Sequence, residues 1–489
     1  MLTAKLTAGA GMMLIARISS NALGLVGLLI VARLLSPDDM GLFAIAFSAT
    51  VLIAATLELP TSLALIQMED PNEDDFNTVF SINCLRGIIL FALVCAFSIP
   101  IAKIYADARL VPLLLALALF PLTLSLRNPY FEQYSRDVDF SPASFLEIGA
   151  KVAAFVGSVG FALVYQSYWA LVAGQLLSAA TSVAITFWLP DHRPRFSLKS
   201  FNKLWSFSIW LGLSGVVNQL NLHSDRFILA GFFSKALLGF YAVAAQIVEQ
   251  MLQAMLHPIN WVLYSGFSKI SADKLRLKNA YALAQQSIIS VMLPVSIGIA
   301  LVAETFVPLL LGDKWGPSVM FVQFAAPSFA FGLFAAASWA LAMSLARTRL
   351  LFVRNFWSMA VRVVGQILGL VWGGLIGLLI ARLVTAAITV LISMFMVRRL
   401  VGISIIQQIA ICQRAVIATA CMALAVIYLS PNHAVSDHMM DQVIYLAIQI
   451  SIGAATYFAT LLGLWKLTGA PDGPEAKAFA TLHHINHAR

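Results

Sequence analysis

Long apolar stretches alternate with short polar connections along the whole chain. Roughly 20 apolar residues cross the hydrocarbon core of a bilayer as a helix, and by that measure the sequence predicts about 14 spans. The connections are too short to hold a soluble domain. The pattern therefore predicts an all-α, polytopic membrane protein. The predicted spans lie near residues 11–35, 41–66, 78–102, 111–131, 143–165, 167–189, 204–231, 237–264, 281–311, 318–346, 352–373, 376–397, 412–430 and 441–466.

Two neighbouring spans between residues 203 and 264 differ from the others because each carries a polar stripe at helical spacing. Lipid cannot satisfy amides and carboxylates, so these faces must meet protein or water. They line a transport cavity, or they form polar contacts between packed helices. Charge on both stripes favours the cavity. The stripes consist of Ser214, Asn218, Asn221 and Asp225, and of Gln246, Glu249, Gln250, Gln253, His257, Asn260 and Tyr264.

The sequence of residues 34–46 is repeated, in similar form, at residues 232–244. With six spans in each copy, both copies have the same orientation in the membrane. The repeat therefore predicts two parallel six-helix lobes related by an axis along the membrane normal. The predicted domains are an N-terminal lobe at 1–200, a C-terminal lobe at 201–400, an accessory pair of spans with a preceding interfacial helix at 401–466, and a cytoplasmic tail at 467–489.

Composition agrees with this assignment and adds an orientation. Hydrophobic residues make up 60% of the chain and charged residues 11%, compared with about 25% charged residues in a soluble domain. The net charge is +8, and the basic residues collect in the loops that share the side of the N-terminus. The positive-inside rule then places both termini in the cytoplasm. Topology and anionic lipid headgroups account for the basic charge, so no nucleic-acid partner is predicted.

Ionisable side chains within the spans are the first candidates for function, because they are costly to keep in a membrane. Arginine dominates them, and its planar fork suits a phosphate or a carboxylate. Arg17, Arg86 and Arg362 lie deepest, and structural pairing remains an equal alternative for them. The predicted substrate-binding residues are Arg17, Asn21, Arg86, Asn218, Asn221, Asp225, Arg226, Gln253, Arg362 and Arg382.

Motifs for soluble chemistry are missing from the sequence. There is no phosphate-binding loop that would indicate ATP use, and no Cys and His spacing that would indicate a metal site. We therefore expect neither a cofactor nor an enzymatic activity. The four cysteines, Cys84, Cys95, Cys412 and Cys421, fall within predicted spans and are expected to be free thiols.

Several short stretches resemble the multidrug/oligosaccharidyl-lipid/polysaccharide (MOP) exporter superfamily. Within it, the chain is similar to the bacterial polysaccharide transporters, the Wzx-type flippases. The stretches are ARLLSP at 32–37 with GLF at 41–43, the run from Asn128 to Phe140 with YWALV at 168–172, and DRFIL at 225–229 with GFYA at 239–242.

The resemblance implies a flippase that moves undecaprenyl-pyrophosphate-linked oligosaccharide repeat units across the bacterial inner membrane for O-antigen, capsule or exopolysaccharide synthesis. Two rocking lobes would give alternating access. Besides membrane lipids, the implied partners are a polysaccharide polymerase and a chain-length regulator. Such proteins are thought to use an ion gradient, and the titratable candidates here are Glu58, Asp225, Glu249 and His257.

Three other functions stay open. A drug/cation antiporter of the same superfamily would favour an acidic cavity, which the arginine-rich charge set argues against. A lipid II flippase would carry a related substrate. A membrane-bound polysaccharide polymerase would need a sizeable extramembrane loop, and the chain has none between its spans.

Overall fold

A computed structural model describes residues 2–57, 61–62, 65, 68, 70–137, 139–429 and 439–469. Every regular element within these ranges is a helix, as predicted. Two short 3₁₀ turns, Pro129–Phe131 and Asp313–Trp315, complete the element order. The helices are α1 (Leu2–Leu34), α2 (Pro37–Thr56), α3 (Glu73–Ile104), α4 (Leu110–Leu117), α5 (Leu119–Ser125), α6 (Glu132–Arg136), α7 (Ser141–Tyr165), α8 (Trp169–Trp188), α9 (Phe201–Phe232), α10 (Lys235–Lys269), α11 (Lys274–Leu301), α12 (Ala303–Leu311), α13 (Ser318–Leu333), α14 (Ser338–Ser344), α15 (Thr348–Val401), α16 (Ile405–Leu429) and α17 (Met439–Leu467).

The described residues contain 10 helices that are long and apolar enough to cross a membrane, or 11 if the bent run from α4 to α6 forms one span. Helix α15 is a single candidate in this count, although Gly373 and Gly374 interrupt its helical backbone between two predicted spans. Helices α9 and α10, which carry the polar stripes, are not among the candidates. A polytopic membrane fold is therefore confirmed, whereas the number of 14 spans stays a prediction.

The chain forms two compact units, Met1–Val243 and Ala244–Arg489. The division falls within α10. Unit 1 therefore contains α9 and the first turns of α10, which the sequence repeat assigns to the second copy. The predicted boundary between the lobes at residue 200 was taken from the sequence repeat, whereas the two units are defined by their packing. The lobe boundary therefore stays a prediction.

Unit 2 contains the remainder of α10 and all later helices. The stretch predicted to lie at the interface, residues 403–413, includes the first turns of α16, which continues without a break to Leu429. All four cysteines are free, as expected.

A tight turn sets the entry into α2 and so positions the first charged residue of the site described below. Ser36 caps the helix by accepting a hydrogen bond from the backbone N–H of Asp39, and the Asp39 carboxylate accepts one from the backbone N–H of Ser36. Pro37 supplies a preset φ at the first helical position. This reciprocal cap ends α1 and starts α2 within two residues, and Asp38 follows directly.

Candidate functional site

The two copies of the internal repeat meet within unit 1 at a pair of glycines, Gly41 in α2 and Gly239 in α10. A Cβ atom on Gly41 would overlap the backbone carbonyl oxygen of Lys235, and one on Gly239 would overlap the backbone carbonyl oxygen of Pro37. The two contacts are equivalent under the repeat: Gly41 meets Lys235, four positions before Gly239, and Gly239 meets Pro37, four positions before Gly41. Only glycine permits helix backbones to approach this closely. We call this crossing the repeat contact.

Four charged side chains lie beside the repeat contact and form the charge cluster: Asp38, Asp107, Arg109 and Lys235. Lys235 Nζ donates to Asp107 Oδ2 at 2.6 Å, and Arg109 Nη2 donates to the same oxygen at 2.8 Å. Arg109 Nη2 also donates to Asp38 Oδ2 at 2.9 Å. The cluster therefore joins the start of α2, the loop between α3 and α4, and the start of α10.

Asp107 is the centre of the charge cluster, with a side chain only 7% exposed. Besides the side-chain bonds, it accepts the backbone N–H of Arg109 at 2.8 Å. These hydrogen bonds, first that of the Arg109 side chain and then that of Lys235, hold the pKa of Asp107 far below its usual range. The carboxylates of Asp107 and Asp38 in turn raise the pKa of Arg109. Asp107 and Arg109 are thus both charged at physiological pH, and the buried carboxylate is fully satisfied.

The backbone beside Asp107 is under local strain. Ala106 has φ of 48°, in the left-handed region that costs a non-glycine residue roughly 1 kcal/mol or more. This conformation turns the chain after α3 so that Asp107 and Arg109 face α2 and α10. The hydrogen bonds of the charge cluster offset the strain.

A cavity of about 260 Å³ adjoins the charge cluster. Its lining mixes a carboxylate, an ammonium group, hydroxyls and aromatic rings from α2, the end of α3 and the connection between α9 and α10. The lining residues are Asp38, Ile45, Tyr105, Ala230, Phe233, Ser234 and Lys235.

A buried carboxylate lies on α9 within the predicted first stripe. Asp225 is 4% exposed, and its Oδ2 accepts a hydrogen bond from the hydroxyl of Tyr241 on α10 at 2.6 Å. Tyr241 is itself 3% exposed and occupies the repeat position of Phe43. Ser224 Oγ lies 3.4 Å from the other carboxylate oxygen. The carboxylate is therefore held by hydroxyl groups, which can support it in either protonation state.

The other predicted site residues are distributed over both units. Arg226 places Nη1 3.5 Å from Nδ1 of His223, one helical turn earlier. Glu58 lies outside the described residues, as do the side chains of Asn218 and His257. Whether any of the predicted residues contacts a substrate stays a prediction. The half-buried ones are Arg17, Asn21, Arg86 and Asn221 in unit 1, and Glu249, Gln253, Arg362 and Arg382 in unit 2.

Unit 2 holds a group of three aromatic rings, the aromatic cluster, formed by Trp261 and Tyr264 of α10 and Trp339 of α14. Each pair of ring centroids is separated by 6.2 Å. Trp261 nevertheless remains 59% exposed. The cluster lies at the end of the second polar stripe.

Sequence reasoning missed three features of these sites. It counted Arg109 and Lys235 only as loop charges that report topology, and no local signal pairs Lys235 with Asp107, 128 positions earlier. It did not identify Tyr241 as the partner of Asp225, although the repeat marks Tyr241 by replacing Phe43. It also did not place Trp339 beside Trp261. The repeat did contain a usable signal for the neighbouring repeat contact, because it aligns Gly41 with Gly239.

Comparison with known proteins gives consistent similarities. The sequence model of the family described as "Polysaccharide biosynthesis protein" matches residues 30–320. The lipopolysaccharide biosynthesis protein WzxC of Escherichia coli K12 is 24% identical, over 65% of this chain and 66% of its own. The teichuronic acid biosynthesis protein TuaB of Bacillus subtilis is 26% identical, over 54% of this chain and 56% of its own. The chain thus spans somewhat less than two thirds of these relatives' length.

Among solved structures, the lipid II flippase MurJ in an inward closed conformation is similar with a TM-score of 0.73 and 16% sequence identity. The alignment covers 93% of this chain and 98% of that one. At this identity the likeness concerns the fold alone.

Proposed function

Since the chain belongs to the polysaccharide biosynthesis protein family, we propose that it is a membrane transporter, not an enzyme, that flips the lipid-linked oligosaccharide precursor of a surface polysaccharide. The relatives' names refer to lipopolysaccharide and teichuronic acid, which are both surface polymers. The substrate we propose is a polyprenyl-pyrophosphate-linked repeat unit, moved from the cytoplasmic to the outer leaflet of the bacterial plasma membrane. A polymerase and a chain-length regulator would act on the product.

The repeat contact is the observation that carries the transport mechanism. Two helices from different copies of the repeat touch through backbone atoms at Gly41 and Gly239, and ion pairs cover the crossing. Such a contact can open and close as a unit, because hydration can replace its ion pairs at moderate cost. It therefore supports alternating access in which the two repeat copies part at this end. The charge distribution of the loops predicts that this end faces the outside.

Arginine side chains within the spans fit the head of the proposed substrate. A pyrophosphate carries negative charge across the membrane, and a guanidinium fork offers paired donors at low dielectric. Arg17, Arg86 and Arg362 lead this set, with Asn21, Arg226 and Arg382 as further contacts.

Asp225 is the proposed site of ion coupling. It lies in a span predicted from the sequence, is buried, and is held by the hydroxyl of Tyr241, so that it can exchange a proton without losing its partner. Glu58, Glu249 and His257 remain candidates for the same role.

Flipping in a reconstituted system tests the proposal. The full-length protein in liposomes is given undecaprenyl pyrophosphate carrying a short oligosaccharide in the inner leaflet, and appearance of the sugar outside is measured with a lectin. We expect transport by the wild type, and a reduction of tenfold or more in the triple variant with Arg17, Arg86 and Arg362 replaced by Gln. No transport of any sugar-bearing lipid would overturn the proposal.

Lipid II flipping is the second candidate, since the fold is similar to that of MurJ. Depletion of the protein in its host separates the two. Loss of the surface polysaccharide with normal growth supports our proposal, whereas lysis with accumulation of lipid II supports the alternative. Raised drug sensitivity with normal polysaccharide would point to a drug antiporter.

A further inference from the structure

We propose that the aromatic cluster of Trp261, Tyr264 and Trp339 is the platform on which a sugar ring of the transported substrate stacks. This inference rests on the proposed function and adds to it a place within unit 2 where the uncharged part of the substrate binds. Four features of the described residues support it: an open aromatic face, a rigid support, hydrogen-bonding groups on the same helix face, and the lack of cations among the described side chains of the site.

The open face belongs to Trp261. Its ring contacts both other rings of the aromatic cluster, yet the side chain is 59% exposed. The C–H face of a pyranose is apolar and slightly positive, so it is attracted to the negative face of an indole. A ring that is held by two T-shaped contacts and still remains largely exposed can take part in this stacking.

The support comes from Trp339 and the residues beneath it. Trp339 packs against a buried core cluster of Ala342, Leu351 and Met396, which holds its ring in one orientation. Because Trp339 touches both Trp261 and Tyr264, the orientation of the whole aromatic cluster follows from this core. A binding surface that is ordered in advance loses less conformational entropy when the ligand binds.

Gln285 on α11 holds the backbone segment that carries Trp339. Its side-chain N–H group donates to the carbonyl oxygen of Leu333 at 2.6 Å, and its carbonyl oxygen accepts from the backbone N–H of Ala337 at 3.2 Å. These bonds span the break between α13 and α14, two residues before Trp339. Gln285 is 1% exposed, so water cannot replace either bond. It is therefore a positioning residue for the platform.

Amide side chains share the helix face of the platform. At 100° per residue, Gln250, Gln253, Asn260, Trp261 and Tyr264 fall within about 100° of the circumference of α10. Among the described residues, Oε1 of Gln250 and Oδ1 of Asn260 are buried acceptors without a hydrogen-bond donor. A buried acceptor left in this state costs roughly 1–3 kcal/mol, and such groups in native proteins call for an explanation. The hydroxyl groups around a sugar ring are donors that would satisfy them.

None of the described side chains within this arc of α10 is a cation, and Glu249, which lies beside the arc, carries a carboxyl group. A pyrophosphate needs cations, and the platform offers none. A ring of Trp and Tyr at a membrane boundary often serves only as an interfacial anchor, but an anchor does not require buried amides on the same face. Aromatic rings combined with amides at the end of a polar stripe instead match a neutral sugar.

The experiment compares two probes on the full-length protein in lipid nanodiscs: undecaprenyl pyrophosphate, and undecaprenyl pyrophosphate bearing one N-acetylglucosamine. Native mass spectrometry of the competing probes gives their affinity ratio. One stacked ring predicts that the wild type prefers the sugar-bearing probe by roughly three- to tenfold. Trp261→Leu should reduce this ratio to about one and leave binding of undecaprenyl pyrophosphate unchanged, whereas Trp261→Phe should retain most of the preference.

Trp357→Leu is the matched control. Trp357 is 55% exposed and also contacts another ring, Phe356, but it does not belong to the amide face of α10. It should keep the wild-type ratio. Gln285→Leu should lower the ratio as Trp261→Leu does, and Gln285→Glu, which keeps the acceptor but not the donor, should fall between. Because Trp261 is exposed, its replacement does not endanger folding, so that variant decides the question.

Each result has one meaning. A wild type that binds undecaprenyl pyrophosphate without preference for the sugar, or a Trp261→Leu variant that keeps the preference, overturns the platform and leaves the proposed function standing. A wild type that binds neither probe overturns the proposed function, and the platform falls with it.

Discussion

Two close helix crossings in this protein use the same residue but differ in how they are held. The repeat contact joins Gly41 and Gly239, which lie far apart in the chain, and ion pairs cover it. In unit 2, Gly369 and Gly377 meet within α15, where a Cβ on either would overlap the backbone carbonyl of the other.

The crossing in α15 is tied covalently by the break at Gly373 and Gly374, where Gly374 has φ of 56°. This hairpin cannot separate without losing its packing, whereas the repeat contact joins elements that only folding brings together. Close glycine packing therefore does not by itself distinguish a permanent joint from one that opens. The chain connection and the chemistry around the crossing make that distinction.

The largest effect should follow from disturbing the hairpin. Gly377→Val places a side chain into the backbone of Gly369, and overpacking of this kind costs about 3 kcal/mol or more. We expect the amount of folded protein in the membrane to fall at least tenfold. Gly373→Ala is the control, since nothing lies within 4 Å of its Cβ position and its φ of −138° suits alanine. Normal levels of the Gly377→Val variant would mean that the hairpin can relax, and that it is not a more permanent joint than the repeat contact.

Disturbing the repeat contact should separate folding from transport. In Gly239→Val the added side chain meets the backbone of Pro37, so the crossing must part while each copy remains packed. We expect near-normal protein levels and loss of polysaccharide export. We also expect a cysteine that replaces Ile45 to be labelled by a thiol reagent at least tenfold faster than in the parent.

Ile45 suits this measurement because it lines the cavity beside the charge cluster and is only 2% exposed. A cysteine-free background carries the reporter. Gly231→Val, with open space at its Cβ position, should behave as the parent does. If the Gly239→Val variant exports polysaccharide normally and its cysteine at position 45 is labelled at the parent's rate, the repeat contact does not gate transport.

A smaller effect is expected from the charge cluster. Asp107→Asn removes the charge that Arg109 and Lys235 share. Arg109 is 46% exposed, so we discount the contribution of its ion pairs for solvent and expect about 1 kcal/mol, or roughly fivefold faster labelling at Ile45. Lys103→Gln, which removes an exposed lysine of the neighbouring helix end, is the charge control. Equal labelling in both variants would show that the cluster does not hold the contact closed.

The same cluster predicts the pH dependence of the contact. The pKa of Asp107 is lowered in the folded state, so its contribution is present above the unfolded pKa of roughly 4 and is lost as the pH falls below that value. Labelling of the Ile45 cysteine in the otherwise unchanged protein is expressed relative to that of an exposed control cysteine, which removes the rise of thiol reactivity with pH. This relative rate should therefore stay constant from about pH 5 to 8. A marked change within that window would place another titrating group at the contact.

The smallest effect on the contact should come from Tyr241→Phe. The hydrogen bond from Tyr241 to Asp225 joins α9 and α10, which belong to the same repeat copy, and does not cross the repeat contact. Labelling at Ile45 should change less than twofold, and export should still respond to the proton gradient. Asp225→Asn should abolish that response while protein levels stay normal. A gradient response that survives Asp225→Asn would move the coupling to Glu58, Glu249 or His257.

Local sequence patterns predicted the parts of this protein that depend on one segment at a time. Hydropathy over about 20 residues is a property of a single helix, because lipid must be met by that helix alone, so the apolar stretches predicted an all-helical membrane fold, whereas their number of 14 stays a prediction. The stripe on α9 and α10 was visible for the same reason. The offset between Gly41 and Gly239 was also present in the sequence, although its meaning as a contact was not.

Tertiary structure alone decided which of these residues meet. Asp107 and Lys235 are 128 positions apart, and their pairing requires that the end of α3 and the starts of α4 and α10 lie close together. Trp339 reaches Trp261 only because Gln285 bridges a helix break in between. By itself, the amino-acid sequence determined that this chain is a helical membrane protein with a repeated short segment and polar faces, since burial in lipid acts on each helix separately. The charge cluster, the hydrogen bond from Tyr241 to Asp225 and the aromatic cluster arise only from packing, because a hydrogen bond or a ring contact requires both partners to be brought within a few ångströms by the whole fold.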